Sequence, residues 1–591
     1  MVKNSKKKKA IGHQQEYHHQ AAVDSYRNKT DYIEACFKLA SAYQDQNNFK
    51  EAIVYYRRAI ELKPDFVEAS YNAALAYQAL GQFDEAIAWY RRALEIKPDV
   101  AEAFNNLGKV LLETGKGDEA QACFLEALRL KPVFAEPYFN LADLQYRRGQ
   151  KDAAEKNFSR ALRIKPDMIE ALNNLGNLFK DRGNFKAAIE HYCQVIRLNP
   201  LLAEGYYNLG SALRLQEKFD EAIEIFKQAL QLKPDYAEVH NNLALCFKNQ
   251  GFLDRALDHF NCALQINPDL AEAHWNRSFT HLLRGDCLQG WEDYEWRFRQ
   301  SRWKTIYPFR CAKPRWDGLP ARNKTIFVHD EQGLGDTLQF VRYLPMVKAR
   351  CGAVILETRK SLIGLLSGFP GIDNLVERST DGNPAVVYDY YVPLLSLPGI
   401  FKTSVGSIPN QVPYLKANPH KVEFWGHRLK NNAARLKVGV VWAGRPLHTN
   451  DRNRSCRLDQ FSKLTEIPGV RLYGLQKGPA AEQANRISFS QKFVNLGEEF
   501  DDFSDTAAAV ACLDLVITVD TSVAHLAGAM AKPVWVLLPF IPDWRWMMDR
   551  SDSPWYPTMR LFRQREPGAW EETFLQVAEK LQRMARDSAR A

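Results

Sequence analysis

Prolines stand at Pro64, Pro98, Pro132, Pro166, Pro200, Pro234 and Pro268, each 34 residues after the last. A fixed period of this length allows only a stack of like units, each too small to bury its own apolar face. Alanines keep the same step at Ala52, Ala86, Ala120, Ala154, Ala188, Ala222 and Ala256. So do glycines at Gly81, Gly115, Gly149, Gly183, Gly251 and Gly285, with Glu217 the one exception. A small residue at a fixed place lets two helices approach closely. The glycine turns the chain between them, and the proline follows the end of the second helix.

The pattern resembles the tetratricopeptide repeat over residues 33–302, about eight units. It predicts an α-solenoid, a right-handed superhelix of helical hairpins with a concave inner face. The last unit, from Ala271, loses its proline and turns aromatic ("GWEDYEWRFRQ"), as a terminal unit packed on something else would. One further series holds the step: Asn72, Asn106, Asn140, Asn174, Asn208, Asn242 and Asn276. Each falls on the first helix of its unit, on the expected concave wall. A side-chain amide donates and accepts, so this ladder can hold the backbone of an extended peptide. The plain alternative is that each amide bonds to the neighbouring unit.

After Arg302 the period disappears. Residues 303–324 ("YPFRCAKPRWDGLPARNK" at its core) are rich in Pro and Arg and read as a linker. Thr325–His329 is a short apolar strand, Gly333-Leu-Gly335-Asp336 a tight glycine turn, Thr337–Arg350 a helix and 353–360 the next strand. That βαβ order implies a parallel sheet with a crevice at its carboxy-terminal edge. "LKVGVVWAGRP" (436–446) opens a second such unit, with a helix near 458–466 and a strand at "VRLYGLQ". The expected plan is therefore a basic tail and lead-in helix (1–32), the repeats, the linker, and two Rossmann-like domains at 325–420 and 421–591. Two such domains facing across a cleft make the GT-B arrangement. The final helix, about 569–586, is expected to cross back onto the first of them.

"EQGLGDTLQFVRYLP" and "ITVDTSVAHLAGAMAKPVWVLL" resemble the two signature regions of the heptosyltransferases, glycosyltransferase family 9, over residues 325–565. Repeats joined to such a module are also similar in plan to protein O-GlcNAc transferase. The resemblance implies an inverting enzyme that uses a nucleotide-diphospho-sugar, with Asp336 as catalytic base and Asp520-Thr521 and His525 in the donor site. The chemistry suits these residues. An acceptor hydroxyl must lose its proton as it attacks the anomeric carbon. Gly333 and Gly335 allow close approach to the backbone. The alternative for Asp336 is a helix cap before Thr337.

The strand-to-helix step at 514–530 places free N–H groups and a positive helix end where a diphosphate would sit. Thr521 and Ser522 add hydroxyl donors, and His525 can donate to the same oxygens. A capping pair with a buried histidine is the alternative. Arg445, Arg452 and Arg454 offer forked donors to phosphate. The family usually has a lysine near here, so Arg454 is assigned by position only. Gly444, Gln476 and Lys477 are donor-site neighbours. The aromatic run 542–564 stacks on a base or sugar, or else holds its loop to the core. No Asp-x-Asp pair follows a strand, and no metal or other cofactor is expected, leaving the arginines and the helix end to neutralise the diphosphate.

Of the net charge of +9, "KNSKKKK" at 3–9 supplies five, so the body carries no nucleic-acid signature. No apolar run reaches the roughly 18 residues of a membrane span, no secretory signal is seen, and the ten cysteines show no paired spacing. These features point to the cytoplasm. Two functions stay open: a glycosyltransferase whose repeat arm presents a protein acceptor, and a non-catalytic repeat scaffold with a nucleotide-binding or degenerate module. Self-association through repeat faces to a homo-oligomer is compatible with either.

Overall fold

The computed structural model describes residues 29–300, 311, 313–379, 382–430, 435–448 and 450–587. The basic tail and the start of the linker lie outside them. The described residues form two compact units, divided between Lys233 and Pro234.

The first unit holds, among the described residues, twelve helices in six hairpins, from Lys29–Asp45 and Phe49–Leu62 to Ala203–Leu215 and Phe219–Leu232. Each helix packs on the next in sequence. The step alanines Ala52, Ala86, Ala120, Ala154, Ala188 and Ala222 are completely buried. On the facing helices the period places Gly108, Gly176 and Gly210. A Cβ there would stand 2.5, 2.6 and 2.6 Å from the rings of Phe124, Tyr192 and Phe226. A side chain at these three places would have to displace the ring.

The turn glycines Gly81, Gly115, Gly149 and Gly183 take φ between +70° and +76°, and Glu217 takes the same left-handed conformation at +63°. The period therefore dictates a backbone shape that one repeat fills with an unsuitable residue.

The second unit opens with the hairpins Ala237–Asn249 with Leu253–Ile266, and Ala271–Arg284 with Cys287–Tyr294, the latter continued by a 3-10 turn Glu295–Arg299. Two parallel sheets follow. The first contains β1 (Ala321–His329), β2 (Cys351–Thr358), β3 (Asn374–Glu377) and β4 (Tyr390–Pro393), in the order β3-β2-β1-β4. The second contains β5 (Leu436–Val441), β6 (Val470–Gly474), β7 (Phe493–Asn495), β8 (Leu515–Val519), β9 (Val534–Leu538) and β10 (Met559–Arg563), ordered β10-β9-β8-β5-β6-β7. Chain direction across each sheet reverses beside its first strand, between β1 and β4 and between β5 and β8. Crevices in open α/β sheets form at such switch points, outside the strands' carboxy-terminal ends.

The structure changes three expectations. The two last hairpins fall in the same unit as the sheets, because Trp275, Trp291 and Tyr294 share one hydrophobic core with β1, β2 and β4. The helix after β1 begins at Leu334 rather than Thr337, and the segment 341–348 is a 3-10 turn and a short helix. The final helix, Trp570–Asp587, does not cross to the first sheet. Its Phe574, Val577, Leu581 and Ala585 stripe covers the outer face of the second, with Phe574 edge-on to Phe461 at 4.8 Å. That face would otherwise be left in water.

Glu217→Gly relieves the left-handed strain and gives back part of it in chain entropy, so the protein gains about 0.5–1 kcal/mol. Gly183→Ala, where nothing lies within 4 Å of the added Cβ, loses about 1 kcal/mol through backbone conformation alone. Urea unfolding of the two variants, followed by circular dichroism, checks both signs.

Candidate functional site

β1 delivers Asp330 and Glu331 to the switch point as buried carboxylates. Asp330 accepts from the Thr358 hydroxyl at 2.9 Å and from Arg378 Nη1 at 3.3 Å. Glu331 takes both prongs of Arg297, each at 2.9 Å. Buried charges require such partners. Gly333 then caps the helix Leu334–Phe340 with an ordinary φ of −77°. The two glycines are therefore not a left-handed turn. Gly335 serves close packing instead: a Cβ on it would sit 2.9 Å from His525 Cδ2 and 3.3 Å from Ser522 Cα.

Asp336, half-buried, is the third residue of that helix. Its Oδ2 accepts from the Gly333 N–H at 2.6 Å, which is the capping role. Its Oδ1 accepts from Arg545 Nη2. Arg545 is buried, donates from Nε to Gln339 Oε1 at 2.6 Å and from Nη1 to Asp543 Oδ1 at 2.8 Å, and lies 4.2 Å over Trp544. Sequence reading passed over Arg545 and Asp543. They sit inside the aromatic run 542–564, and 209 residues separate Arg545 from Asp336. The aromatics of that run are buried: Trp544, Trp546, Trp555 and Tyr556 hold the loop to the core and offer no free face.

β8 runs into the helix Ser522–Ala529, with Thr521 as the extended N-cap residue. Thr521 Oγ1 pairs with Thr518 Oγ1 at 2.9 Å, leaving the first-turn N–H groups without a side-chain cap. His525 is buried one turn on. Its Nδ1 shares a hydrogen bond of 3.0 Å with the Tyr556 hydroxyl, and its ring stacks on Trp546 at 5.3 Å. Burial, with the charges of Arg545 and Arg342, depresses its pKa well below the usual imidazole value, so the ring is neutral. Asp520 shows the opposite effect. Burial and the nearby Asp543 raise its carboxyl to about 6, against the pull of Arg454 and Arg545. The structure thus gathers Asp336, Asp520, Ser522, His525 and Arg545 at one junction.

At the end of β5, Gly444 donates to Ser455 Oγ at 2.9 Å and lies under the Arg454 guanidinium, which would be 2.3 Å from an added Cβ. Arg454 is half-buried and bonded to Asp451 at 3.2 Å. Arg445 and Arg452 are exposed. His448, also missed from sequence, feels the charges of Arg454, Asp543, Asp451 and Asp336; desolvation and Arg454 lower its pKa while the carboxylates raise it. Gln476 is buried and structural, its Oε1 accepting from the Trp442 and Ala443 N–H groups at 3.2 and 2.9 Å. Lys477 donates to the Phe500 carbonyl.

Most of the asparagine series makes the inter-repeat contacts of the plain alternative. Asn106 donates to Tyr71 Oη (2.9 Å), Asn140 to Asn105 Oδ1 (2.9 Å), Asn208 to Asn173 Oδ1 (3.4 Å) and Asn276 to Asn241 Oδ1 (3.1 Å), each 35 residues back. Asn174 has Phe139 at the equivalent place, a ring without an acceptor, and turns to Asp143 Oδ1 at 3.3 Å. Asn242 donates to Glu238 O at 2.9 Å, and Asn72 lies against the Tyr56 hydroxyl. Such a contact takes one amide proton, and Asn106 Oδ1 also accepts from Asn105 Nδ2 at 3.3 Å.

Two outcomes follow. Gly335→Val drives a branched side chain into His525 and the Ser522 backbone, costing about 1–3 kcal/mol by overpacking. Differential scanning fluorimetry reads this as a lowered midpoint. His525 stays neutral in the folded protein, whereas the unfolded chain binds its proton near pH 6.5, so the wild type loses stability as pH falls below that value. His525→Gln removes this term. From pH 6.5 to 5 wild type therefore loses stability faster than the variant, by up to about 1.4 kcal/mol per pH unit. Asp520, raised in both proteins, works in the opposite direction and cancels in the comparison.

Models of the tetratricopeptide repeat match residues 37–101, 105–169, 176–214, 210–251 and 237–270. Among curated proteins, Protein FlbA of Caulobacter vibrioides is 26% identical over 333 residues, 52% of this chain and 54% of its own. The chain thus spans about half the length of the curated relative it matches. Among solved structures, a chain of the APC/C hetero-tetramer Cut9-Hcn1 is 20% identical with a TM-score of 0.35, over 44% of this chain and 50% of its own. YrrB, titled a TPR protein with an unusual peptide-binding site, is 22% identical with a TM-score of 0.29, over 31% of this chain and 95% of its own. With the 34-residue period and the helical hairpins already described, the family matches identify the first half of the chain as an array of tetratricopeptide repeats.

Proposed function

We propose that the protein is an inverting glycosyltransferase of GT-B plan. It takes a sugar from a nucleotide-diphospho-sugar and transfers it to a polypeptide presented by the repeats. The observation that carries this reading is the single junction where Asp336 from one sheet meets the uncapped helix end at Ser522 and the neutral His525 from the other. Two parallel sheets, each with a switch point in its order β3-β2-β1-β4 or β10-β9-β8-β5-β6-β7, and the close packing of Gly335 on Ser522 and His525 support it.

In this reaction the acceptor hydroxyl gives its proton to Asp336 as its oxygen bonds to the anomeric carbon. The bond from that carbon to the diphosphate breaks, and the electron pair leaves with the nucleotide. Asp336 keeps a lone pair on each oxygen beyond those held by Gly333 and Arg545, and Arg545 holds the carboxylate in place. The first-turn N–H groups behind Thr521, the Ser522 hydroxyl and Arg454 face the leaving charge. His525 Nε2 lies on the Gly335 side of its ring, and a neutral imidazole there can donate one hydrogen bond without adding charge. No metal is needed for this balance. The partly exposed amides of Asn72, Asn140, Asn174 and Asn276 hold the acceptor backbone, and the site of action is the cytoplasm. Among the described residues no helix is long and apolar enough to cross a membrane.

A second reading, a repeat scaffold with a silent module, draws on the helix-capping bond and ion pair of Asp336 and the His525 Nδ1 bond to Tyr556, contacts that purely structural residues also make. Incubation of the full chain with a panel of nucleotide-diphospho-sugars and unfolded polypeptide separates the two. Asp336→Asn is expected to slow nucleotide release and the accompanying mass shift by about 100-fold or more, while nucleotide still raises the melting temperature. If no donor is consumed by the wild type, or Asp336→Asn turns over normally, the transferase reading is lost and the scaffold remains.

A further inference from the structure

The last hairpin of the array touches the candidate site from two directions. Its 3-10 turn buries Arg297 completely. The guanidinium grips Glu331 through Nε and Nη2, each at 2.9 Å, and Nη2 also donates to Ser396 Oγ at 2.7 Å. Glu331 Oε1 accepts in addition from the Leu395 N–H at 3.2 Å, joining the ends of β1 and β4. One residue further, Gln332 Nε2 donates to the buried Tyr294 hydroxyl at 2.7 Å. Gly333 follows, and its N–H holds Asp336.

The other face of Asp336 is reached through Arg545, and that segment also rests on the hairpin. Trp291 meets Trp544 edge-on at 5.3 Å while its own N–H donates to the Thr403 carbonyl at 2.8 Å. Gly285, at φ +97°, lies so close to Met547 that a Cβ would stand 2.7 Å from its terminal methyl. Asp336 is therefore clasped between two segments, 331–333 and 543–547, that are both seated on one helical hairpin.

We propose that Tyr294 and Arg297 are positioning residues for Asp336, so that the last repeat is a working part of the cleft rather than a tether for it. The catalytic consequence rests on the transferase reading; the mechanical coupling does not. Of the two, Tyr294 offers the cleaner probe, since Tyr294→Phe keeps the ring and deletes only the oxygen that Gln332 bonds. Arg297→Lys keeps the charge and loses the fork.

Hydrogen exchange of the full chain, read by mass spectrometry, tests the coupling directly. In Tyr294→Phe the peptide covering 331–338 is expected to exchange about fivefold faster or more, with 514–521 unchanged, as a local opening. Nucleotide-induced stabilisation stays at the wild-type value. Where transfer is measurable, kcat falls about tenfold, equal to about 1.4 kcal/mol of barrier, with the donor KM unchanged. Unchanged exchange in 331–338, uniform loosening of both sheets, or faster exchange with normal kcat each overturns the proposal. Should Arg297→Lys fail to fold, Tyr294→Phe still decides. Should the wild type transfer nothing, the transferase reading falls and the exchange experiment alone judges the coupling.

Discussion

The geometry of the second unit depends on the contact of two short helices, Leu334–Phe340 and Ser522–Ala529, where a missing side chain on Gly335 admits the ring of His525. A methyl group there would force the helices apart by several tenths of an ångström or push the imidazole out of its stack on Trp546. Close packing transmits such shifts because protein interiors have little slack. The same contact is reinforced at its rim. Arg342 donates to the Trp555 carbonyl at 2.8 Å and to Tyr414 Oη at 2.8 Å, and the Tyr414 hydroxyl donates to Leu338 O at 2.9 Å.

Charge at the junction is arranged as a sequence of compensated pairs. Glu331 has Arg297, Asp330 has Arg378, and Asp336 and Asp543 share Arg545. In a water-poor environment each carboxylate left alone would prefer to be protonated, and Asp520 shows this in part with its pKa raised to about 6. Asp336 gains a fixed orientation from its pairing. A carboxylate held by a backbone N–H on one oxygen and a guanidinium on the other can rotate little.

Much of this was legible from residues alone. The period set the hairpins, the buried alanines and the left-handed turns, including the strained one at Glu217. The strand that ends on Asp520 and turns into a helix was readable because an apolar run followed by capping residues has few other foldings. The glycine turn was misread. Gly333 and Gly335 look like a bend, yet both take ordinary helical or extended angles, and the reason for Gly335 lies in a ring 190 residues away. Arg545 was masked by the tryptophans around it, and the final helix was sent to the wrong sheet because an amphipathic stripe states that it must be covered and not by what.

What the linear order determined, then, was local: helix lengths, strand ends, turn conformations and the residue types available for chemistry, all consequences of backbone sterics and of a short apolar period. The tertiary structure alone decided which of those residues meet. Asp336 with Arg545, Gly335 with His525 and Arg297 with Glu331 are joined by packing between segments separated by 34 to 209 residues. Such pairings are set by how whole faces fit and by the need to neutralise each buried charge, and neither condition is written in any single stretch of the chain.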